Sequence, residues 1–141
     1  MKNMTPDEAR EFLLSSPRTA MLATVREDGR PHAAPVWFVL DGEDWIFTTW
    51  HTTVKAANLR RDPRVCLCVD DEEPPYAFVQ VEGLAAVQEQ APDLLQWTTR
   101  IARRYLGDEL AETYGRRNAV EGEWLVRVTP TKILAQQGIA A

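Results

Sequence analysis

The stretch TAMLATVREDGRPHAAPVWFVLDGEDWIFTT, Thr19–Thr49, decides the fold. Thr19–Arg26 reads as a strand, and Glu27-Asp28-Gly29-Arg30 carries the Asp-Gly signal of a tight hairpin. His32–Leu40 reads as the next strand and ends at a second Asp-Gly pair, Asp41-Gly42; Trp45–Thr49 is the third. Connections this short admit only antiparallel neighbours, so the expectation is a β-meander.

On the N-terminal side, Thr5-Pro6-Asp7-Glu8 is a capping box with Pro at the first helical position, predicting a helix to about Ser15. On the C-terminal side the pattern changes period. Val54–Asp62 reads as a short helix stopped by Pro63, Val65–Asp70 as a strand, and Asp70–Pro75 as an acidic surface turn. Tyr76–Gln88 reads as a long strand in which Gly83 marks a bulge or bend. Pro92–Leu106 is the strongest helix, with Leu94, Thr98, Ile101, Ala102 and Tyr105 on one face and Gly107 closing it. Asp108–Tyr114 adds a short helical segment, Trp124–Thr129 a sixth strand, and Lys132–Ala135 extends the edge. The expected fold is mainly β with peripheral helices: a six-stranded antiparallel barrel, closed or nearly so, forming one domain over residues 1–141. Alternating β and α units with a Gly-rich first turn are missing, which excludes a Rossmann nucleotide site.

Composition narrows the function classes. The 141 residues are 45% hydrophobic and 26% charged, as in ordinary globular proteins. A net charge of −5 and a pI near 5.1 argue against a general nucleic-acid or anionic-membrane binder. No apolar run approaches the ~18–20 residues of a membrane span, and the N-terminal residues lack a signal-peptide core, so the expected location is cytoplasmic. Cys66 and Cys68 alternate along a strand and share a face about 6–7 Å apart, too far for a disulfide. They read as small apolar residues rather than a redox or metal pair, and His32 and His51 alone make no zinc site.

Two segments carry candidate chemistry. In Thr48–Asn58 a strand ends at Thr48 and Thr49, a helix starts at Thr52/Thr53, and Lys55 and Asn58 fall three apart on one face. Free N–H groups at such a helix start suit a phosphate, with the Thr49 and Thr53 hydroxyls and the Lys55 ammonium completing the pocket. The alternative is a plain N-cap beside a solvated lysine. In Ala33–Phe38, Pro35 deletes a ladder hydrogen bond, freeing backbone groups for the polar edge of a planar ligand between Val36 and Trp37. The alternative is an edge strand whose Trp37 packs in the core or at a subunit contact. Arg60, Arg61 and Arg64 add a basic patch that suits an anionic group, or complements the helix dipole.

Leu22–Val25, Asp28–Pro31, the Thr53–Pro63 run and the strand after it, taken together, resemble the pyridoxamine 5'-phosphate oxidase-like split-barrel family. Within it the likeness is to the deazaflavin (coenzyme F-420)-dependent reductase branch, FDOR-B. The likeness extends through Val79–Gly83 and Trp124–Val128. It implies a homodimer of split barrels with cofactor sites at the subunit interface. Lys55, with Thr49, Thr53 and Asn58, would hold the cofactor phosphate; Pro35, Val36 and Trp37 would line the ring, with Thr48 near its edge. Arg60 and Arg61 would face the acidic tail of F-420. The implied activity is hydride transfer from reduced F-420 to a small electrophile such as an enone, quinone or tetrapyrrole. The alternatives are an FMN-dependent oxidase or reductase and a non-catalytic flavin- or haem-binding protein. No residue is singled out as catalytic: His51, Tyr76 and water all stand as proton donors.

Overall fold

The computed structural model describes all of Met1–Ala141. A two-residue strand β1 (Lys2–Asn3) precedes helix α1 (Pro6–Leu14). Thr5 caps α1 reciprocally with Glu8, the Glu8 N–H donating to the Thr5 hydroxyl at 3.2 Å and the Thr5 N–H to the Glu8 carboxylate at 3.0 Å. The hairpin of β2 (Ala20–Val25) and β3 (Pro31–Val36) turns at Gly29, whose φ of +88° suits glycine. A second hairpin joins β4 (Val39–Asp41) to β5 (Asp44–Trp50), and α2 (Val54–Arg61) follows, ending before Pro63. Strands β6 (Arg64–Asp71) and β7 (Ala77–Gln88), helices α3 (Leu94–Leu106) and α4 (Asp108–Asn118), and β8 (Glu123–Gln137) complete the chain. No helix is long and apolar enough to cross a membrane.

All pairings are antiparallel, in the order β3-β2-β6-β7-β8-β5-β4, with β1 on β8. The split-barrel expectation holds, but the count is eight strands rather than six and the opening meander is corrected. The predicted strand His32–Leu40 is two strands, β3 and β4, on opposite edges of the sheet. It breaks at Trp37–Phe38 because Pro35 has no N–H and the Phe38 N–H donates to the Tyr105 hydroxyl at 3.1 Å instead of to a strand. Phe38 drops inward and stacks on Trp45 at 4.3 Å. The chain thus crosses from one edge of the curled sheet to the other, which leaves the barrel split between β3 and β4. The β7 irregularity falls between Glu82 and Gly83, where a Cβ on Gly83 would lie 2.8 Å from the Thr129 carbonyl.

Alternation fills the barrel. Leu22, Phe38, Trp45, Phe47, Leu67, Val69, Val79, Val81, Val126 and Val128 are fully buried inside. On the outer face, Trp97 and Ile101 of α3 pack on Val39, Ile46 and Leu125. α4 lies close on α3 at Gly115, where a Cβ would meet the Thr99 hydroxyl at 2.2 Å. Cys66 and Cys68 sit half-buried and unpaired on the outer face of β6, and burial pushes the Cys68 thiol up.

Candidate functional site

At the end of β5 the turn Trp50–Thr53 hands the chain to α2. Thr53 is the N-cap: its hydroxyl accepts from the Ala56 N–H at 3.2 Å, donates to the Trp50 carbonyl at 2.9 Å and lies 2.8 Å from the Thr49 hydroxyl. Both hydroxyls are therefore engaged in the turn itself, and Thr49 is buried. The cap serves only Ala56, so the Val54 and Lys55 N–H groups remain without an intrachain partner at the positive end of the helix.

Asn58 also differs from the expectation. It is 3% exposed, and its amide donates to the Thr24 hydroxyl at 3.0 Å while its oxygen accepts from Arg61 at 3.3 Å. It clamps α2 onto β2 and does not share an open face with Lys55. Positions 54, 57, 58 and 61 line the cavity beside the β2–β3 hairpin, and Lys55 is not among them.

Between that hairpin and α2 lies an open cavity of about 510 Å³, whose charged lining is Arg26, Arg30 and Arg61 together with Glu27 and Asp28. The Arg61 guanidinium bonds the Val25 carbonyl, Arg30 pairs with Asp28 at 2.8 Å, and Arg26 has no ion pair. Sequence reading missed Arg26 and Arg30; they flank a hairpin turn, and only the packing of α2 on β2 brings them to Arg61. The predicted Arg60–Arg61–Arg64 patch is divided. Arg60 turns the other way, 3.8 Å from Glu89 and over the Trp124 ring at 5.8 Å. Arg64 pairs with Asp62 at 2.8 Å and bonds that carboxylate, holding it down at about 2.

Lys55 forms no ion pair but lies close enough to Glu123 to influence it. Glu123, the first residue of β8, accepts from the Thr48 hydroxyl at 3.1 Å. Burial pushes its carboxyl up, against the opposing pull of Thr48 and Lys55. The neighbouring Trp50 ring packs over Gly122, whose carbonyl meets His51 Nδ1 at 3.1 Å.

At the split, alternation decides which side chains a ligand meets. Pro35 and Trp37 point outward; Val36 is 5% exposed and belongs to the barrel core, so only its backbone is left to meet a ligand. This corrects the reading of Val36 as a ring wall. Trp37, 43% exposed, stacks on Tyr105 of α3 at 4.7 Å with an interplanar angle of 1°. Tyr105 holds that shelf in place: its hydroxyl donates to the Arg18 carbonyl at 2.8 Å, accepts from Phe38, and is pushed up by burial. The sequence offered Tyr105 only as one residue of a helix face.

The β4–β5 ladder ends with Val39 opposite Ile46, both under α3. Trp37 precedes β4 by two residues and rests on Tyr105 of α3, and Thr48 follows Ile46 by two residues on the outer face of β5. Thr48 and Glu123 thus meet on the outer face of β5 and β8, with Lys55 at the α2 N-terminus near enough to act on Glu123.

A family model for pyridoxamine 5'-phosphate oxidase matches residues 5–137. Among solved structures, a conserved hypothetical protein from Mycobacterium tuberculosis is 28% identical, with 96% of this chain and 86% of that one covered at a TM-score of 0.83. An F420 reductase is 30% identical over 87% of this chain and 94% of its own, at a TM-score of 0.70. The haem storage protein of Vibrio cholerae, 21% identical over 96% and 98% of the two chains at a TM-score of 0.74, shares the fold. A search of curated proteins finds no match.

Proposed function

The chain belongs to the pyridoxamine 5'-phosphate oxidase family, and from that premise we propose that it is an oxidoreductase using the deazaflavin coenzyme F-420 to reduce a small electrophile. The observation that carries the reading is the corner at the α2 N-terminus: free Val54 and Lys55 N–H groups, an unpaired Lys55, and a cavity in which Arg26, Arg30 and Arg61 outnumber Glu27 and Asp28. The N-terminus and Lys55 suit the phosphate, and the arginine cavity suits the acidic tail beyond it, which FMN lacks. The 30% identity to an F420 reductase supports the same choice.

When bound, the deazaflavin supplies the hydride. The chain's own contribution is to bind, orient and exclude water. The Trp37–Tyr105 shelf and the backbone of Pro35 and Val36 would line the ring, with Thr48 at its edge. A charge-assisted hydrogen bond contributes roughly 1.5–3 kcal/mol and a helix terminus about 0.3–1. Micromolar affinity needs about 8 kcal/mol, so the apolar shelf must carry a large share.

The reading includes a cytoplasmic homodimer with sites between subunits. The outer sheet face offers a surface for it. Pro35, Met21, Cys68, Gln80 and Leu134 lie side by side in register, and Met21 and Leu134 are 46% and 43% exposed.

Fluorescence titration of apo-protein with F-420 and with FMN tests the function. F-420 should bind more tightly; Lys55→Ala should weaken both ligands about tenfold, as one lost charge-assisted contact implies. Arg26→Ala should weaken F-420 alone. Tighter binding of FMN by the wild type, or F-420 affinity unchanged in both variants, would overturn the reading in favour of an FMN enzyme or another ligand.

A further inference from the structure

Resting on that reading, we infer that Glu123 is the proton donor of the reduction and that the cavity it borders receives an uncharged or cationic electrophile with an apolar body. Glu123 stands where the outer face of β8 meets the α3 and α4 ends. Beside it, Leu94, Leu95 and Val120 line a cavity of about 530 Å³, whose other carboxylates are Glu89 and Glu121. Leu95 and Val120 are 50% and 46% exposed, an apolar opening with no partner in the chain. The carboxyl is half-buried, takes one hydrogen bond, from Thr48, and has no ion pair. In the proposed function Thr48 stands at the ring's edge, so the carboxyl lies one hydrogen bond away from that residue.

A half-buried carboxyl whose hold on its proton burial strengthens, fixed by a hydroxyl and bordering a cavity with an apolar opening, is placed to give a proton to a bound electrophile. The charged and titratable groups around it are Lys55 from α2, His51 from the β5–α2 turn, Glu89 after β7 with its partner Arg60, and Glu121 before β8. With Glu123 in its protonated form, the cavity is still lined by Glu89 and Glu121 and by no lysine or arginine, which disfavours a substrate bearing its own carboxylates.

The substrate's electron-poor carbon gains a hydride, two electrons with one hydrogen, from the reduced deazaflavin, which ends oxidised. The displaced π pair takes the proton from the Glu123 O–H bond at the neighbouring atom. The resulting carboxylate regains its proton from water. Thr48 is a positioning residue, holding the carboxyl through its hydrogen bond.

The experiment has two arms, with an uncharged cyclic enone as probe. In cofactor-free protein carrying ¹³C-labelled Glu, the enone should shift the Glu123 carboxyl resonance and a carboxylate-bearing analogue should not; Leu95→Arg should abolish the shift. No shift in the wild type overturns the proposal whatever the cofactor does. In F-420-loaded protein, kcat should fall about tenfold per pH unit above the Glu123 pKa. Glu123→Gln should lose about a hundredfold in kcat and the pH limb together, with KM and F-420 affinity unchanged. Thr48→Val should keep the limb but lower kcat. A Glu123→Gln enzyme with the wild-type rate and pH profile refutes the donor role and leaves the F-420 reading intact. Failure of the wild type to bind F-420 refutes both, and is separately visible by titration.

Discussion

Asn58 tests whether α2 is placed by a buried polar clamp. Its amide and the Thr24 hydroxyl meet at 3.0 Å, with the two residues 3% and 2% exposed, and each is the other's partner across a separation of 34 residues. Asn58→Ala removes that bond and the one from Arg61, and orphans the Thr24 hydroxyl. A net hydrogen bond contributes about 0.5–1.5 kcal/mol and an unsatisfied buried group costs about 1–3, so the expected loss is about 2 kcal/mol, some thirtyfold in the unfolding equilibrium. With a urea slope of about 2 kcal/mol/M, the midpoint should fall by about 1 M with the slope unchanged. Thr24→Val should cost a similar amount. The double variant should cost less than the two together, because neither polar group is then left alone, giving a coupling of about 1 kcal/mol or more. Tryptophan fluorescence in urea reports all four proteins. Strict additivity within 0.3 kcal/mol would refute the clamp. An unchanged midpoint with weakened F-420 binding would instead restore Asn58 as a phosphate ligand.

Tyr105→Phe keeps the ring under Trp37 but orphans the Phe38 N–H and frees the Arg18 carbonyl; urea unfolding should show a loss of about 1–3 kcal/mol. Glu8 is held below its ordinary 4.5, first by the Thr5 N–H and then by the Gln137 side chain. A carboxyl lower in the native than in the unfolded chain stabilises above the unfolded value, so this contribution is full above pH 4.5 and is lost as the pH falls through the native value. Glu8→Gln should flatten that part of the stability profile, measured by thermal unfolding between pH 6 and 2. Light scattering should give twice the 16.0 kDa chain mass, and Met21→Glu should return the monomer; a wild-type monomer would refute the shared site.

Much of the local structure was legible from residues a few positions apart. The helix predicted over Val54–Asp62 is observed over Val54–Arg61, the α1 capping box forms, and the β7 irregularity lies at Gly83. The strand His32–Leu40 was misread because its alternation runs on unbroken through Trp37 and Phe38. What breaks it is a hydroxyl 67 residues away. In the candidate site, Lys55 and the helix start were readable, but Asn58, Val36 and Arg60 were assigned faces that packing gives to the core or to other partners.

By itself the sequence determined the elements and their punctuation. Asp-Gly turns, a Thr cap and a Pro stop act through backbone energies within a few residues. Only the tertiary structure decided that β3 and β4 end on opposite edges, that Arg26, Arg30 and Arg61 share a cavity, and that Thr48 meets Glu123 across 75 residues. Those choices follow from which apolar faces bury one another when the sheet closes. Burial between distant segments leaves no periodic trace in either of them alone.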